Sequence, residues 1–374
     1  MTVNVTKPAL NIREKLAELD KPSGIAGEAM LRADSVQEQR NLIGAGRKNL
    51  IINGAMQVEQ RGAFTISTSG GPEYGGPDRF HMWSYTSTEQ VTAEISKSTV
   101  GGTPTGFADT YRIDVLTAES SVAAGESLVF AQYIEAQNCQ HLEYGTSDAK
   151  SVTLSFWIKT SVTGTYCFFL QNSDGDRIQV KEYTVNSADT WEKKIITIPG
   201  DASGTINNDN GRGLWCGWVL MAGTDRHGSK DAWRTTGADY ATSSQVNAVG
   251  NGANNIYFTG VQLEVGTVAT NFEHRSYGEE LALCQRYYYH SGSLNAGQNG
   301  QAVSGGYSTY FGASWTFPTT MRTSPTILQN ISISTNSTGT QTAATTPTMY
   351  RFNHGNMSGN YSYWTGSFIV SAEL

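Results

Sequence analysis

The stretch "SVTLSFWIKT", residues 151–160, alternates in a way that decides the architecture. Val152, Leu154, Phe156 and Ile158 fall on one face, and Trp157 falls on the other. Side chains that alternate with period two specify a half-buried β-strand. The sequence around it repeats the pattern. "NSDGDR" (172–177) reads as a hairpin turn in which Asp174-Gly175 supplies positive φ angles. "WEKKIITIPG" (191–200) is a further strand, turned by Pro199 and Gly200. "LWCGWVLMAG" (214–223) is apolar on both faces, as a covered central strand is, with Trp215 and Trp218 on opposite faces. "NNIYFTGVQLEVG" (254–266) places Tyr257, Thr259, Val261, Leu263 and Val265 on one face. Many short strands separated by Gly, Asn and Asp turns imply a sandwich or barrel.

Composition agrees. The 374 residues are 38% hydrophobic and only 16% charged, with 40 glycines and 9 prolines, which favours turn-rich β-structure over helical bundles. A net charge of −7 opposes binding to a phosphate backbone, so nucleic acid is not an expected partner. No run of 18 apolar residues predicts membrane insertion, and the first residues lack the apolar core of a secretory leader. Cys139, Cys167, Cys216 and Cys284 are scattered with no CxxC pair, so they are expected as buried free thiols of a protein made in a reducing cytoplasm.

The chain divides into zones of different composition. Residues 1–48 carry fourteen charged side chains and no aromatic ring. There Ile12, Leu16 and Leu19 share one helical face, capped by Asn11, and "DKPSG" (20–24) breaks the helix before a second helical run. So short a segment cannot bury its own stripe, so it is expected to dock on another protein or on copies of itself. In "KNLIINGAMQVEQRG" (48–62), Leu50, Ile52, Met56 and Val58 are expected to start an alternating strand, joining this segment to the β-region at 49–275. "YGEELALCQRYYYH" (277–290) predicts a short helix, with Leu281, Cys284 and Tyr288 at helical spacing, in a hinge spanning 276–291. Residues 292–374 read as a small, weakly charged C-terminal β-domain. The expected fold class is thus mainly β: an N-terminal α-helical anchor, a β-sandwich and a small C-terminal β-domain.

Catalytic signatures are missing from the pattern. The six histidines are dispersed, no HExxH or GxSxG occurs, and the carboxylate pairs Asp174/Asp176 and Asp225/Asp231 sit in turn-like contexts. The chain is therefore expected not to be an enzyme. In "NSDGDR" the Gly is fourth rather than sixth, against a calcium loop. Ring stacking on sugar faces needs exposed aromatics beside amides and carboxylates. Trp233, in the polar stretch "KDAWRTTGADY", and the uncharged clusters holding Tyr307, Tyr310, Tyr361, Tyr363 and Trp364 are the candidates for such recognition.

"NLIINGAMQVEQRG", then "DRFHMW", "VTLSFWIK" and "GVQLEVGTVATNFEHRSYGEELALCQRYY", resemble in order a module of tailed-bacteriophage fibre proteins, especially of marine phages. "TFPTTMRTSPTI" (316–327) resembles the small β-domain that follows it there, so the resemblance spans roughly residues 48–327. It implies a jelly roll similar to carbohydrate-binding modules, in a homotrimeric virion fibre assembled in the host cytoplasm. Residues 1–48, outside the resemblance, are then expected from their unburied stripe to hold other virion proteins through Ile12, Leu16 and Leu19, and the distal part is expected to meet host-surface polysaccharide. No cofactor is implied, though such modules often hold a structural calcium through backbone oxygens. Two alternatives stand beside this reading: a purely architectural head, collar or tail decoration without a ligand, and a glycan depolymerase.

Overall fold

The computed structural model describes residues 48–66, 70–85, 92–99, 102–235, 237–292, 294–298, 311–329, 332–334, 341–354 and 362–374. The expected anchor residues Ile12, Leu16 and Leu19 lie outside them. Residues 49–269 and 274–374 form one compact unit, and Lys48 with 270–273 belongs to another. In the latter, Lys48 donates its backbone N–H to Glu273 Oε2 at 2.9 Å.

The first unit begins with thirteen strands in two antiparallel sheets, a sandwich of jelly-roll type. In chain order they are β1 (Phe64–Ile66), β2 (Gly71–Tyr74), β3 (His81–Tyr85), β4 (Thr92–Ser98), β5 (Thr110–Thr117), β6 (Ser127–Glu135) and β7 (Val152–Thr160). There follow β8 (Gly164–Asn172), β9 (Arg177–Val185), β10 (Glu192–Ile198), β11 (Arg212–Ala222), β12 (Arg234–Thr235) and β13 (Asn255–Val265). Sheet A has the order β1-β4-β5-β13-β7-β10, and sheet B the order β12-β9-β8-β11-β6-β3-β2. Between them lies a ring-rich core. Phe130 packs on Phe258 at 4.6 Å, on Phe80 at 4.9 Å and on Trp218 at 5.3 Å between centroids. The 151–160 stretch behaves as its alternation requires: Val152, Leu154, Phe156 and Ile158 are fully buried in this core. β11 sits between β8 and β6, with Trp218 in the inter-sheet core and Trp215 in a second cluster on the outer face of sheet B.

Three local expectations are corrected. First, residues 49–63 are not a strand but an irregular strap that closes one end of the sandwich. Asn side chains take the place of a ladder. Asn49 Oδ1 accepts from the N–H groups of Ile51 and Leu263, both at 3.0 Å. Asn53, at φ 60°, donates Nδ2–H to Val58 O at 2.8 Å and accepts from Val58 N–H at 3.0 Å. Gln132, on β6, exchanges side-chain bonds with both backbone groups of Ile52. Such local side-chain bonds satisfy backbone groups that a strand would otherwise pair. Second, the β8–β9 hairpin forms at 173–176, but the positive φ belongs to Asp176 (48°) rather than to Asp174-Gly175. Third, β13 does not keep one face. Its register against β7 runs Thr259↔Trp157 and then Gln262↔Ser155, so one extra residue is inserted. This bulge at Gly260 (φ 61°) turns Ile256 and Phe258 inward before it, and Val261 and Leu263 inward after it.

The segment expected as a hinge is bound into the sandwich. α1 (Tyr277–Gln285) starts at Ser276, whose hydroxyl accepts from Glu279 N–H at 3.3 Å. Buried Glu280 accepts from Asn53 N–H and from Arg275, and Arg275 also donates to Ile51 O. Beyond α1 come β14 (Tyr288–His290), β15 (Leu294–Gln298), β16 (Phe311–Thr316), β17 (Thr326–Gln329) and β18 (Ser332–Ser334). β19 (Gln341–Thr346), β20 (Met349–His354), β21 (Ser362–Gly366) and β22 (Ile369–Ser371) complete the chain. They form three-stranded sheets ordered β14-β22-β17, β15-β21-β18 and β16-β20-β19. Phe368 stacks on Tyr350 at 4.0 Å in a core shared by the first and third of these sheets.

Charge joins this region to the sandwich. Arg286 donates to both carboxylate oxygens of Glu135, at 2.7 and 2.8 Å. Desolvation pushes the Glu135 carboxyl up, but the bonds from Arg286, Tyr287 and Gln137 together outweigh it and hold it below its ordinary range. Glu373 accepts from Arg61 at 2.7 Å and from Arg79, whose side chain is 1% exposed and lies 3.4 Å from the Tyr287 ring centroid.

Candidate functional site

The outer face of sheet A carries a run of rings leading to a cleft. At one end Trp191 donates its indole N–H to Gly102 O at 3.1 Å and meets Tyr257 edge-on at 6.3 Å. Lys159 places Nζ 5.3 Å over the Tyr257 ring. Alternation puts half-buried Trp157 on this same outer face. The bulge then sets the next ring. A Cβ at position 260 would lie 2.6 Å from Phe107 Cζ and 3.0 Å from Trp157 Cδ1, so only glycine lets both rings approach the strand.

Phe107 ends a tight turn in which its N–H donates to Pro104 O at 3.1 Å and Gly106 adopts φ 93°. Its ring lies 5.4 Å from that of His274. These two rings and Tyr277, which is 57% exposed at the start of α1, flank a cleft of about 350 Å³. Gln57, Lys97 and Asp109 supply its polar groups. Lys97 Nζ lies 3.9 Å from Asp109 Oδ1 and donates to Gln57 O at 3.4 Å. The cleft thus offers apolar ring surface beside an ammonium, a carboxylate and an amide, which suits a polyhydroxylated ligand. Asp109 is the one carboxylate lining it among the described residues. Acid–base hydrolysis of a glycoside ordinarily needs two facing carboxyl groups.

Of the residues singled out from the sequence, Trp233, Tyr363 and Trp364 do not line this cleft. Trp233 is half-buried. It donates Nε1–H to Pro199 O at 2.7 Å, meets Tyr144 edge-on at 5.8 Å and packs against the inter-sheet core. Tyr363 and Trp364 lie on β21, where Trp364 pairs with Ala296 and Ile333, and Tyr363 with Gly297 and Ser334. Tyr307, Tyr310 and Tyr361 lie outside the described residues. Phe107 escaped the sequence reading because a lone ring in "TPTGFADT" has no periodic signal; the Thr-Pro-Thr-Gly turn before it was the only cue. Among the described residues no group of three His, Cys, Asp or Glu side chains is placed to hold a metal, and no helix is long and apolar enough to cross a membrane. In the hairpin turn Asp174 accepts from Asn207 N–H at 3.0 Å.

No protein-family profile and no curated protein matches the sequence. Solved structures share parts of the arrangement. The enzymatically active domain of tailspike protein 4 of bacteriophage CBA120 is 12% identical over 58% of this chain, with a TM-score of 0.31. The match spans only 21% of that tailspike chain. A family 4 carbohydrate-binding module is 18% identical and covers 57% of this chain and 98% of its own, at a TM-score of 0.28. A putative sugar binding protein from Bacteroides thetaiotaomicron is 11% identical, covering 59% and 100%, at a TM-score of 0.33.

Proposed function

We propose that the chain is a glycan-binding fibre subunit of a tailed bacteriophage, holding host-surface polysaccharide through the outer face of sheet A without cleaving it. One observation carries the binding: Trp191, Tyr257, Trp157 and Phe107 line a single sheet face and end at a cleft with Lys97, Asp109 and Gln57. Rings in a row match successive apolar sugar faces, and the polar groups at the end orient one unit. The single lining carboxylate favours holding over hydrolysis. The virion role rests on the residue pattern of 48–327. Trimerisation rests on the charged, ring-free segment 1–48, with three copies adding weak contacts by avidity. The distal residues 292–374 would then share in recognition.

The test is affinity electrophoresis of the full chain in gels of purified host polysaccharide, with sedimentation mass and a reducing-end assay alongside. Retardation that Phe107→Ala weakens about ten-fold, roughly 1.4 kcal/mol, is the expected result. Release of reducing ends would replace the reading with a depolymerase. No retardation on any host glycan would leave an architectural fibre.

A further inference from the structure

We propose that the outer face of sheet B forms a second, separate glycan site, selective for an anionic sugar. Along β3, His81, Trp83 and Tyr85 point to this face, since Met82 on the same strand enters the inter-sheet core. Trp83 lies 5.2 Å from Trp215, and Trp215 lies 5.8 Å from Tyr240. Trp83 and Tyr240 are half-buried, and Tyr85 is 50% exposed. Two guanidinium groups cap these rings. Arg212 sits 5.6 Å over Trp215, and Arg226 sits 4.6 Å over Tyr85 and 5.7 Å over Tyr240.

Unlike Arg234 and Arg286, neither arginine has a carboxylate within ion-pair distance among the described residues. Arg226 is held by backbone oxygens instead, those of Gly125 and Ala238. In a chain with 33 acidic and 26 basic side chains, two cations over one ring cluster with no ion-pair partner of their own, the nearby Asp239 being taken by Arg234, mark an anion-binding spot. The buried Trp215 indole N–H, within the same cluster, also has no acceptor among the described residues. A lost partner for such a donor is costly, and a ligand oxygen would supply it. Planar guanidinium forks match carboxylate or sulfate ester oxygens, while the rings take the apolar sugar face. The ligand class is therefore an acidic polysaccharide unit, a uronate or a sulfated sugar. The site does not depend on the cleft, which belongs to the other sheet.

Calorimetric titration of the full chain decides it. The probes are oligogalacturonate, its methyl ester, oligomannuronate and a sulfated galactan. At least one anionic probe is expected to bind, at least ten-fold tighter than the neutral methyl ester, with affinity falling as salt is added. Arg212→Gln should remove that preference. It breaks no described bond to the backbone, and thermal melting checks that it folds. Trp83→Ala should weaken the same probe, whereas Phe107→Ala should leave it unchanged. Whichever anion binds names the chemistry. Equal binding of acid and ester, an Arg212→Gln variant that binds like the native chain, or no binding of any anionic probe overturns the proposal.

Discussion

Replacing Glu373 by alanine removes the carboxylate that two arginines share. Arg79 is 1% exposed, Arg61 9% and Glu373 7%. Burial alone would depress the Arg79 guanidinium, but Glu373, with smaller help from Tyr287, Tyr74 and Cys284, more than offsets this and leaves it above its ordinary value. Without Glu373, Arg79 keeps only the Tyr133 carbonyl at 2.8 Å and the Tyr287 ring. Arg61 keeps Asp78 at 3.6 Å. Breaking a buried pair typically costs ~3–5 kcal/mol, because one charge is left enclosed. The remaining carbonyl and ring place this case near the lower end, about 3 kcal/mol, or roughly a hundred-fold in the folding equilibrium. Equilibrium urea unfolding of the full chain measures it, with amide exchange on β14 and β22 locating the loss. Adding Arg79→Met to the alanine variant should recover part of the stability, since an apolar side chain of similar size removes the stranded charge. An alanine variant within about 1 kcal/mol of the native chain, with unchanged exchange on β22, would refute the reasoning.

Two further outcomes are expected. Gly260→Ala should destabilise by about 1–2 kcal/mol from the left-handed backbone alone, and should also weaken glycan retention because the new Cβ displaces Phe107; thermal melting and gel retardation measure the two effects. Desolvation pushes the Glu192 carboxyl up, but Lys194 and the N–H groups of Ser187 and Asn186 pull it down from 4.5 to about 2. Its contribution to stability is therefore present above the ordinary pKa and is lost as pH falls through about 2. A carboxyl NMR titration should find that midpoint, and Lys194→Ala should raise it.

Much of the fold was legible in the residues. Alternation in 151–160, a run apolar on both faces at 214–223 and the Asp/Gly turn at 172–177 each specify local geometry, because a strand's side chains repeat every two residues. The helix after residue 276 was legible from the spacing of Leu281 and Cys284, whereas Tyr288, expected on the same helix, lies on β14. The candidate site was much less so. Trp157 could be assigned a face but not a neighbour, and Phe107 and the Arg212–Trp215 contact carry no periodic signal at all.

What the sequence determined alone is that stretches such as 151–160 and 214–223 are strands and which side each of them buries, since period and turn chemistry are properties of a few consecutive residues. Tertiary structure decided the rest. The bulge at Gly260 shifts a face by one residue without any change in composition. The strap at 49–63 looks like a strand until Asn49 and Asn53 find backbone partners. Arg79 and Glu373, 294 residues apart, pair only because the folded chain brings them into one low-dielectric place, where an unpaired charge would be too costly to keep.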